Sequence, residues 1–376
     1  MSTSSTKVTI VAGARPNFMK IAPLIRAFNR LGDAFDWRLV HTGQHYDREM
    51  NDVFFEELGI PAPDTSLNCG GGSHATQTAA VMVAFEKELT ENPADWVIVV
   101  GDVNSTLACA IVAKKLHVNV AHVEAGLRSG DRKMPEEINR LVTDGISDLF
   151  FVTEPAGEAH LLREGHDPKH VHHVGHVMID NLLFQAERLA HVDPATLEGD
   201  PLKRSLLAGP GRYGVVTHHR PSNVDEPDAL RNVMSALERV CAELPLVFPV
   251  HPRTRNRLEQ SGIALPKDLH LLPPLPYMAF LNLWKDAAVV LTDSGGIQEE
   301  TTGLGVPCVT VRDSTERPIT IDEGSNVLAG LDPGRIAQLA IEAARSKQAP
   351  RRPKLWDGHA ADRIAAVLAQ WGGKSS

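Results

Sequence analysis

Short apolar runs recur along the chain, each stopped by glycine or polar residues and followed by apolar positions at helical spacing. Residues 7–12 (KVTIVA) form the first run, which breaks at Gly13-Ala14-Arg15-Pro16-Asn17. Met19, Ile21, Leu24, Ile25 and Phe28 then recur with a helical period, and Pro16 suits the first turn of that helix, where its missing N–H is not needed. Residues 37–41, 96–100, 118–123 and 148–153 read as further strands with helices between them. Apolar runs of four to eight residues bounded by turn signals mark strands buried on both faces. Their alternation with helices predicts a doubly wound parallel sheet.

The series is expected to close with residues 148–153, and the rhythm is interrupted over 174–180, which predicts a hinge. The alternation then restarts. Residues 213–217 end in His218-His219-Arg220, 245–250 end in His251-Pro252-Arg253, 287–291 lead into a glycine turn, and 307–311 end in Arg312. In the tail, Ile364, Ala365, Val367 and Leu368 stand at helical spacing. The expected organisation is two Rossmann-like doubly wound parallel-sheet domains, residues 1–175 and 176–355, with a C-terminal helix in 356–376 that packs back on the first domain. Nearly every strand ends in polar residues, and the C-terminal edge of an open parallel sheet is where ligands bind. Two such edges facing each other would make a central cleft.

The most informative stretch is Leu291-Thr-Asp-Ser-Gly-Gly-Ile-Gln-Glu-Glu300. It predicts a strand, a tight turn at Ser294-Gly295-Gly296 and a helix opening with Ile297. Ser294 is a good N-cap, and the glycines let a ligand approach the backbone. The unpaired N–H groups at such a helix start suit a phosphate. Glu299 and Glu300 are expected in the first turn, where a carboxylate can accept both hydroxyls of a ribose. The plainer reading is an ordinary strand-to-helix turn.

Composition narrows the function classes. The 376 residues are 43% hydrophobic and 23% charged, as in ordinary globular proteins. A net charge of −9 argues against broad nucleic-acid binding, so any anion site must be local. Cys69, Cys109, Cys241 and Cys308 lie far apart and form no CxxC, which predicts reduced thiols in a cytoplasmic protein. No apolar run approaches the ~18 residues that span a bilayer. The first strand-loop-helix unit lacks the G-x-G-x-x-G fingerprint, which disfavours a nicotinamide or flavin dinucleotide.

Asp102 and Glu124 end consecutive strands, so their carboxylates can converge on one edge, and Pro135 places Glu136 and Glu137 in the opening turn of a helix. Such a cluster can supply an acid and a base. The plainer alternatives are a helix cap for Asp102 and a salt bridge from Glu124 to Arg128. His218 and His219 read as one functional and one structural histidine. His172, His173 and His176 are close in sequence but lack convergent cysteine or carboxylate partners, which argues against a metal site. Arg15, Lys20, Arg253 and Arg317 stand at or near turns on the same edge. Singly each is a surface charge; together they suit a diphosphate.

The chain resembles the non-hydrolysing UDP-N-acetylglucosamine 2-epimerases. The motifs that carry the likeness are Gly13-Ala-Arg-Pro-Asn-Phe-Met-Lys20, Thr42-Gly-Gln-His45, Gly101-Asp102, His122-Val-Glu-Ala-Gly-Leu-Arg128, Pro135-Glu-Glu-Ile-Asn-Arg140, Thr217-His-His-Arg220, the 291–300 stretch and Thr315-Glu-Arg-Pro318. They run in family order over nearly the whole chain. The resemblance implies the two-domain glycosyltransferase-B architecture, a homodimer, and reversible conversion of UDP-GlcNAc to UDP-ManNAc without cofactor or metal. It implies Asp102, Glu124 and Glu136 as catalytic carboxylates and His219 as the group that holds or protonates the departing diphosphate. It also implies Arg15, Lys20, Ser294, Gly295 and Gly296 on the phosphates, Glu300 on the ribose, Phe280 beside the uracil and Arg317 completing the nucleotide pocket. Two stretches depart from the family pattern: Pro221-Ser-Asn-Val224 follows the histidines, and Tyr46-Asp-Arg48 follows His45. Both regions serve a second, regulatory substrate site in bacterial relatives. Leu275 replaces a more polar residue near the uracil.

Overall fold

The structure, a computed structural model, describes residues 5–43, 55, 57–224, 226–346 and 349–372. The side chains of Arg15, Pro221 and Ser222 also lie outside what it describes, as do Gln44 to Arg48 of the Thr42-Gly-Gln-His45 region. The chain divides into two compact units, Met1–Asn181 with Lys354–Ser376, and Leu182–Pro353.

The first unit holds a seven-stranded parallel sheet in the order β3-β2-β1-β4-β5-β6-β7. Its strands are β1 (Thr6–Ala12), β2 (Phe35–His41), β3 (Thr65–Ser66), β4 (Trp96–Val100), β5 (Asn119–Val123), β6 (Leu149–Val152) and β7 (Val171–His173). Every residue of β4, β5 and β6 is buried. This is why β4 and β6 are continuous apolar runs rather than alternating ones, while β5 buries Asn119 and His122 among its apolar residues. A core of Val97, Val99, Val120, Val81 and Phe85 fills one side. Each such side chain contributes about 1.5–3 kcal/mol on burial. The chain returns to this unit at its end. Helix Ala360–Trp371 packs on helix Arg15–Leu31, and the Asp180 carboxylate accepts the first N–H groups of the terminal helix, from Ala360 at 3.1 Å and Ala361 at 2.7 Å.

The second unit holds a six-stranded parallel sheet in the order β10-β9-β8-β11-β12-β13. Its strands are β8 (Gly214–Thr217), β9 (Leu246–Pro249), β10 (Leu269–Leu272), β11 (Val289–Thr292), β12 (Cys308–Thr310) and β13 (Asn326–Leu328). Val216, Leu237, Leu246, Phe248, Leu291 and Val309 belong to its core.

The structure corrects several local expectations. Residues 148–153 do not close the first sheet, because β7 adds an edge beyond them. The last four residues of the interrupted segment 174–180 already belong to helix Val177–Leu189, within which the two units divide after Asn181. Helix Asn104–Lys115 starts from Val103 at its N-cap, without a side-chain cap bond. Among the described residues, no helix is long and apolar enough to cross a membrane, and all four cysteines are free.

Candidate active site

Each sheet reverses its strand order once, between β1 and β4 in the first unit and between β8 and β11 in the second. At such a point the two flanking loops part and leave an opening at the carboxyl ends of the strands. Of the residues singled out from sequence, Asp102 follows β4 at the first opening, and His219 and Ser294 follow β8 and β11 at the second.

At the first opening Asn17 ties the loops together. Its side-chain oxygen accepts the N–H groups of Gly13 (2.9 Å) and Ala14 (3.0 Å), and its amide donates to the Val100 carbonyl at the end of β4 (3.2 Å). One turn along the same helix, Lys20 makes a buried ion pair with Glu124. Gly101 is needed beside that pair. Its φ is +66°, and a Cβ there would stand 2.8 Å from the Lys20 ammonium. Glu124 itself is held at φ +72°, a conformation that costs a non-glycine residue about 1–2 kcal/mol. Strain of that kind concentrates at functional positions. The bland alternative, a Glu124–Arg128 bridge, is not made: Arg128 pairs instead with Asp144 (2.7 Å) and Glu164 (2.6 Å).

Asp102 is not a helix cap. Its carboxylate meets Arg140 at 2.5 Å and remains a third exposed, while its backbone carbonyl accepts from Asn139 at 2.8 Å. Arg140 is shared with Glu137, which also accepts from the Ser129 and Gly130 backbone. Burial works against the Glu137 charge, but these donors outweigh it and lower its pKa to about 2. Glu137 thereby anchors the 129–130 loop to the first turn of its helix. Glu136, its neighbour in the first turn of helix Pro135–Ile146, is half-buried and has no hydrogen bond or ion pair among the described residues. The two adjacent glutamates are therefore unequal: one is a structural anchor and the other is available to a ligand.

Behind the carboxylates lies a pair that sequence reasoning passed over. His122, fully buried in β5, has Nδ1 2.6 Å from Asp144 and Nε2 2.8 Å from the Gly101 carbonyl. Asp144 also accepts the Gly126 N–H at 3.1 Å. Burial disfavours its charge, yet His122 and Arg128 together hold its pKa below the usual carboxylate value. This network fixes the ends of β4 and β5 relative to the helix that carries Glu136 and Arg140.

At the second opening β8 ends in His218 and His219, and β11 ends in Asp293 and Ser294. His218 is buried and stands edge-on to Phe248, with neither ring nitrogen hydrogen-bonded among the described residues. The side chain of His219 is 53% exposed, with Nδ1 3.1 Å from Asp293. Ser294 occupies the N-cap position of helix Gly295–Leu304, but its side chain makes no cap bond. The Ser294 N–H donates to Thr292 Oγ1 at 2.9 Å, whereas the Gly295 and Gly296 N–H groups have no partner among the described residues and stay open towards an anion. A Cβ at Gly295 would meet the Arg317 guanidinium and Glu316 at 3.3 Å, so glycine admits those side chains close to the helix start. Arg317 pairs with Glu299 (2.8 Å) and Glu316 (3.0 Å), and Arg220 and Arg312 also reach Glu316. Burial opposes the Glu316 charge, but Arg317 and Arg312 overcome it and bring its pKa to about 2.

The helix begins at Gly295, so Glu299 and Glu300 lie in its second turn rather than its first. Glu300 is buried and accepts from the Tyr277 hydroxyl at 3.3 Å. Burial first, and the Glu299 charge second, raise its pKa to about 7 against the Tyr277 hydrogen bond. Tyr277 opens helix Tyr277–Trp284, which also carries half-buried Phe280. Leu275, just before that helix, is half-buried. Arg253 lies exposed in helix Pro252–Ser261. Arg15 opens helix Arg15–Leu31 through its backbone. His172 and His176 pack separately, against Phe151 and Trp356.

Comparison with known proteins supplies a family context. The model of the family described as UDP-N-acetylglucosamine 2-epimerase matches residues 29–369. A UDP-N-acetylglucosamine 2-epimerase of Methanocaldococcus jannaschii is 38% identical over 375 residues, covering 96% of this chain and 98% of its own. A UDP-2,3-diacetamido-2,3-dideoxy-D-glucuronate 2-epimerase of Pseudomonas aeruginosa is 38% identical over 371 residues, covering 97% and 99%. The crystal structure of the M. jannaschii enzyme in complex with UDP-GlcNAc and UDP matches with a TM-score of 0.84 at 37% identity, covering 97% of this chain and 100% of that one.

Proposed function

The chain belongs to the UDP-N-acetylglucosamine 2-epimerase family, and from that premise we propose that it interconverts UDP-N-acetylglucosamine and UDP-N-acetylmannosamine by eliminating and re-adding UDP. The observation that carries this reading is the division of charge between the two sheet edges. Asp102 and Glu124 stand at the β1/β4 opening, Glu136 starts the helix that carries Arg140, the partner of Asp102, and an anion-accepting turn with arginines lies at the β8/β11 opening. The C2 hydrogen of the sugar is poorly acidic. Departure of UDP from C1 must therefore build positive charge there while a carboxylate takes the C2 proton. The product is enzyme-bound 2-acetamidoglucal. Protonation on the opposite face and return of UDP to C1 complete the inversion.

In this reading Asp102, Glu124 and Glu136 move the proton and stabilise the cation. His219 meets the departing diphosphate, with Arg15 and Lys20 as further phosphate ligands. Ser294, Gly295 and Gly296 hold phosphate oxygens at the helix start. Glu300 accepts the ribose hydroxyls, Phe280 flanks the uracil, and Arg317 closes the nucleotide site. No step uses a redox cofactor or a metal. The free, scattered thiols support a reducing, cytoplasmic setting. A homodimer has a candidate surface in the first unit, where exposed Val83, Ile138 and Val142 lie on two helices and Ile138 helps line an apolar depression of about 500 Å³.

A second substrate is favoured by one observation. The diacetamido-glucuronate epimerase is as similar to this chain as the M. jannaschii enzyme. An NMR time course with each UDP-sugar separates them: inversion at C2 of only the uronate would move the specificity, and early release of free UDP with ManNAc would replace epimerisation by hydrolysis.

A further inference from the structure

Asp293 has no role in the scheme above, yet its carboxylate is the most heavily engaged group at the second opening. It is fully buried at the end of β11, at the point where strand order reverses. It accepts the backbone N–H of His219 (3.1 and 3.2 Å) and of Arg220 (3.0 Å), and the side-chain amide of Asn223 (3.1 Å). The next residue begins the Ser294-Gly295-Gly296 turn. A buried carboxylate beside an anion site repels the ligand unless its charge is spent elsewhere. Here the donors spend it, and His219 stands beside it.

We propose that Asp293 is a positioning residue for departure of the diphosphate: it fixes the His219 ring so that Nε2 alone faces the leaving phosphate. The proposal rests on the epimerase reading. Nδ1 of His219 lies 3.1 Å from Asp293 Oδ1. An ionised carboxylate only accepts, so Nδ1 must carry a hydrogen, and the tautomer is set. Nε2 is then the nitrogen that exchanges a proton. When the C1–O bond breaks, its electron pair leaves on the β-phosphate oxygen, and His219 in its doubly protonated form gives that oxygen the Nε2 hydrogen while Nδ1 keeps its own; the same hydrogen returns to Nε2 when UDP re-adds. Histidine with a buried aspartate behind it is a recurrent way to hold an imidazole in one tautomer. The neighbouring His218 faces the other carboxylate oxygen, with Nδ1 3.6 Å from Oδ2, and leaves Oδ1 to His219. The remaining charges around this group are those of Arg220, Arg312, Arg317 and Glu316, and they lie on the same side as the helix start.

The test combines a wild-type measurement with a mutant cycle. Long-range proton–nitrogen NMR of the wild type, with His219 assigned by its loss in H219Q, should show a protonated Nδ1. An unprotonated Nδ1 overturns the proposal. Among variants, D293N should lower kcat by roughly 10–10³-fold, within the range seen when an acid–base group is disabled, with a much smaller change in KM. D293N/H219Q should be no slower than H219Q, because a residue acting through another is not additive with it. Additive losses overturn the proposal, since a purely structural aspartate would damage the double variant further. Should D293N fail to fold, the NMR result decides alone. A wild type that inverts no UDP-N-acetylhexosamine overturns the activity reading itself, whereas the wrong tautomer overturns only the pairing.

Discussion

The β1/β4 and β8/β11 openings share one topology and carry opposite equipment. At the first, acids line the opening, and the cations described there are tied to acids: Lys20 to Glu124, and Arg140 to Asp102 and Glu137. At the second, arginines and unpaired helix N–H groups dominate, and the acids stand behind them: Asp293 under His219, and Glu316 among three guanidiniums. Strand order thus fixes where an opening forms, whereas the first residues after each strand fix what it can bind. The chemistry follows from those residues and not from the fold.

The sharpest way to separate the two edges is to disable one and measure both chemistry and nucleotide binding. Glu136→Gln keeps shape and removes a titrating group that has no structural partner among the described residues. Turnover should fall by roughly 10²–10⁴-fold, while calorimetry shows UDP affinity nearly unchanged. A wild-type rate would remove Glu136 from the catalytic set. The reciprocal change is Glu300→Ala, which should weaken UDP by roughly 1–3 kcal/mol, about 5- to 150-fold, the scale of charge-assisted hydrogen bonds. Unaltered affinity would take Glu300 off the ribose.

A smaller effect separates the edges by pH. The pKa of Glu300 is raised to about 7 from an ordinary 4.5. The folded protein therefore keeps a proton that the unfolded chain loses between those values, so this group's contribution to stability falls as pH rises from about 4.5 to 7. A ribose bound to the carboxylate requires loss of that proton. UDP affinity should fall as pH drops below about 7, by at most about tenfold per unit, and calorimetry in buffers of different ionisation heat should register proton release at pH 6. The part of the dependence that belongs to Glu300 should be lost in Glu300→Gln. The smallest effect concerns the exposed apolar face of the first unit: Val83→Asp should convert dimer to monomer in analytical ultracentrifugation with little change in UDP binding, and an unaltered mass would place the interface elsewhere.

Much of this was legible in the sequence, and the misses share a cause. Central strands such as Trp96–Val100 are buried on both faces, so hydrophobicity alone reveals them. The four strands that escaped, β3, β7, β10 and β13, are the four edges of the two sheets. They are two to four residues long and only partly buried, and an edge strand needs no apolar run. At the candidate site, strand-end residues were visible by position. Their partners were not: Asp293 reaches the backbone of residue 219 across 74 positions, and Asp102 meets Arg140 across 38. Periodicity carries no such information. The second-turn place of Glu299 and Glu300 was missed because the helix begins at Gly295, two residues earlier than the apolar pattern suggests.

The central claim is that carboxylates at the first edge break the C2–H bond while the second edge holds the nucleotide. Proton NMR and mass spectrometry of UDP-GlcNAc incubated with the protein in D2O, with no nicotinamide or metal added, test this most directly. The account predicts deuterium at C2 of both UDP-GlcNAc and UDP-ManNAc, because the abstracted proton passes to a side chain that exchanges with solvent. Inversion at C2 with its hydrogen fully retained would contradict it.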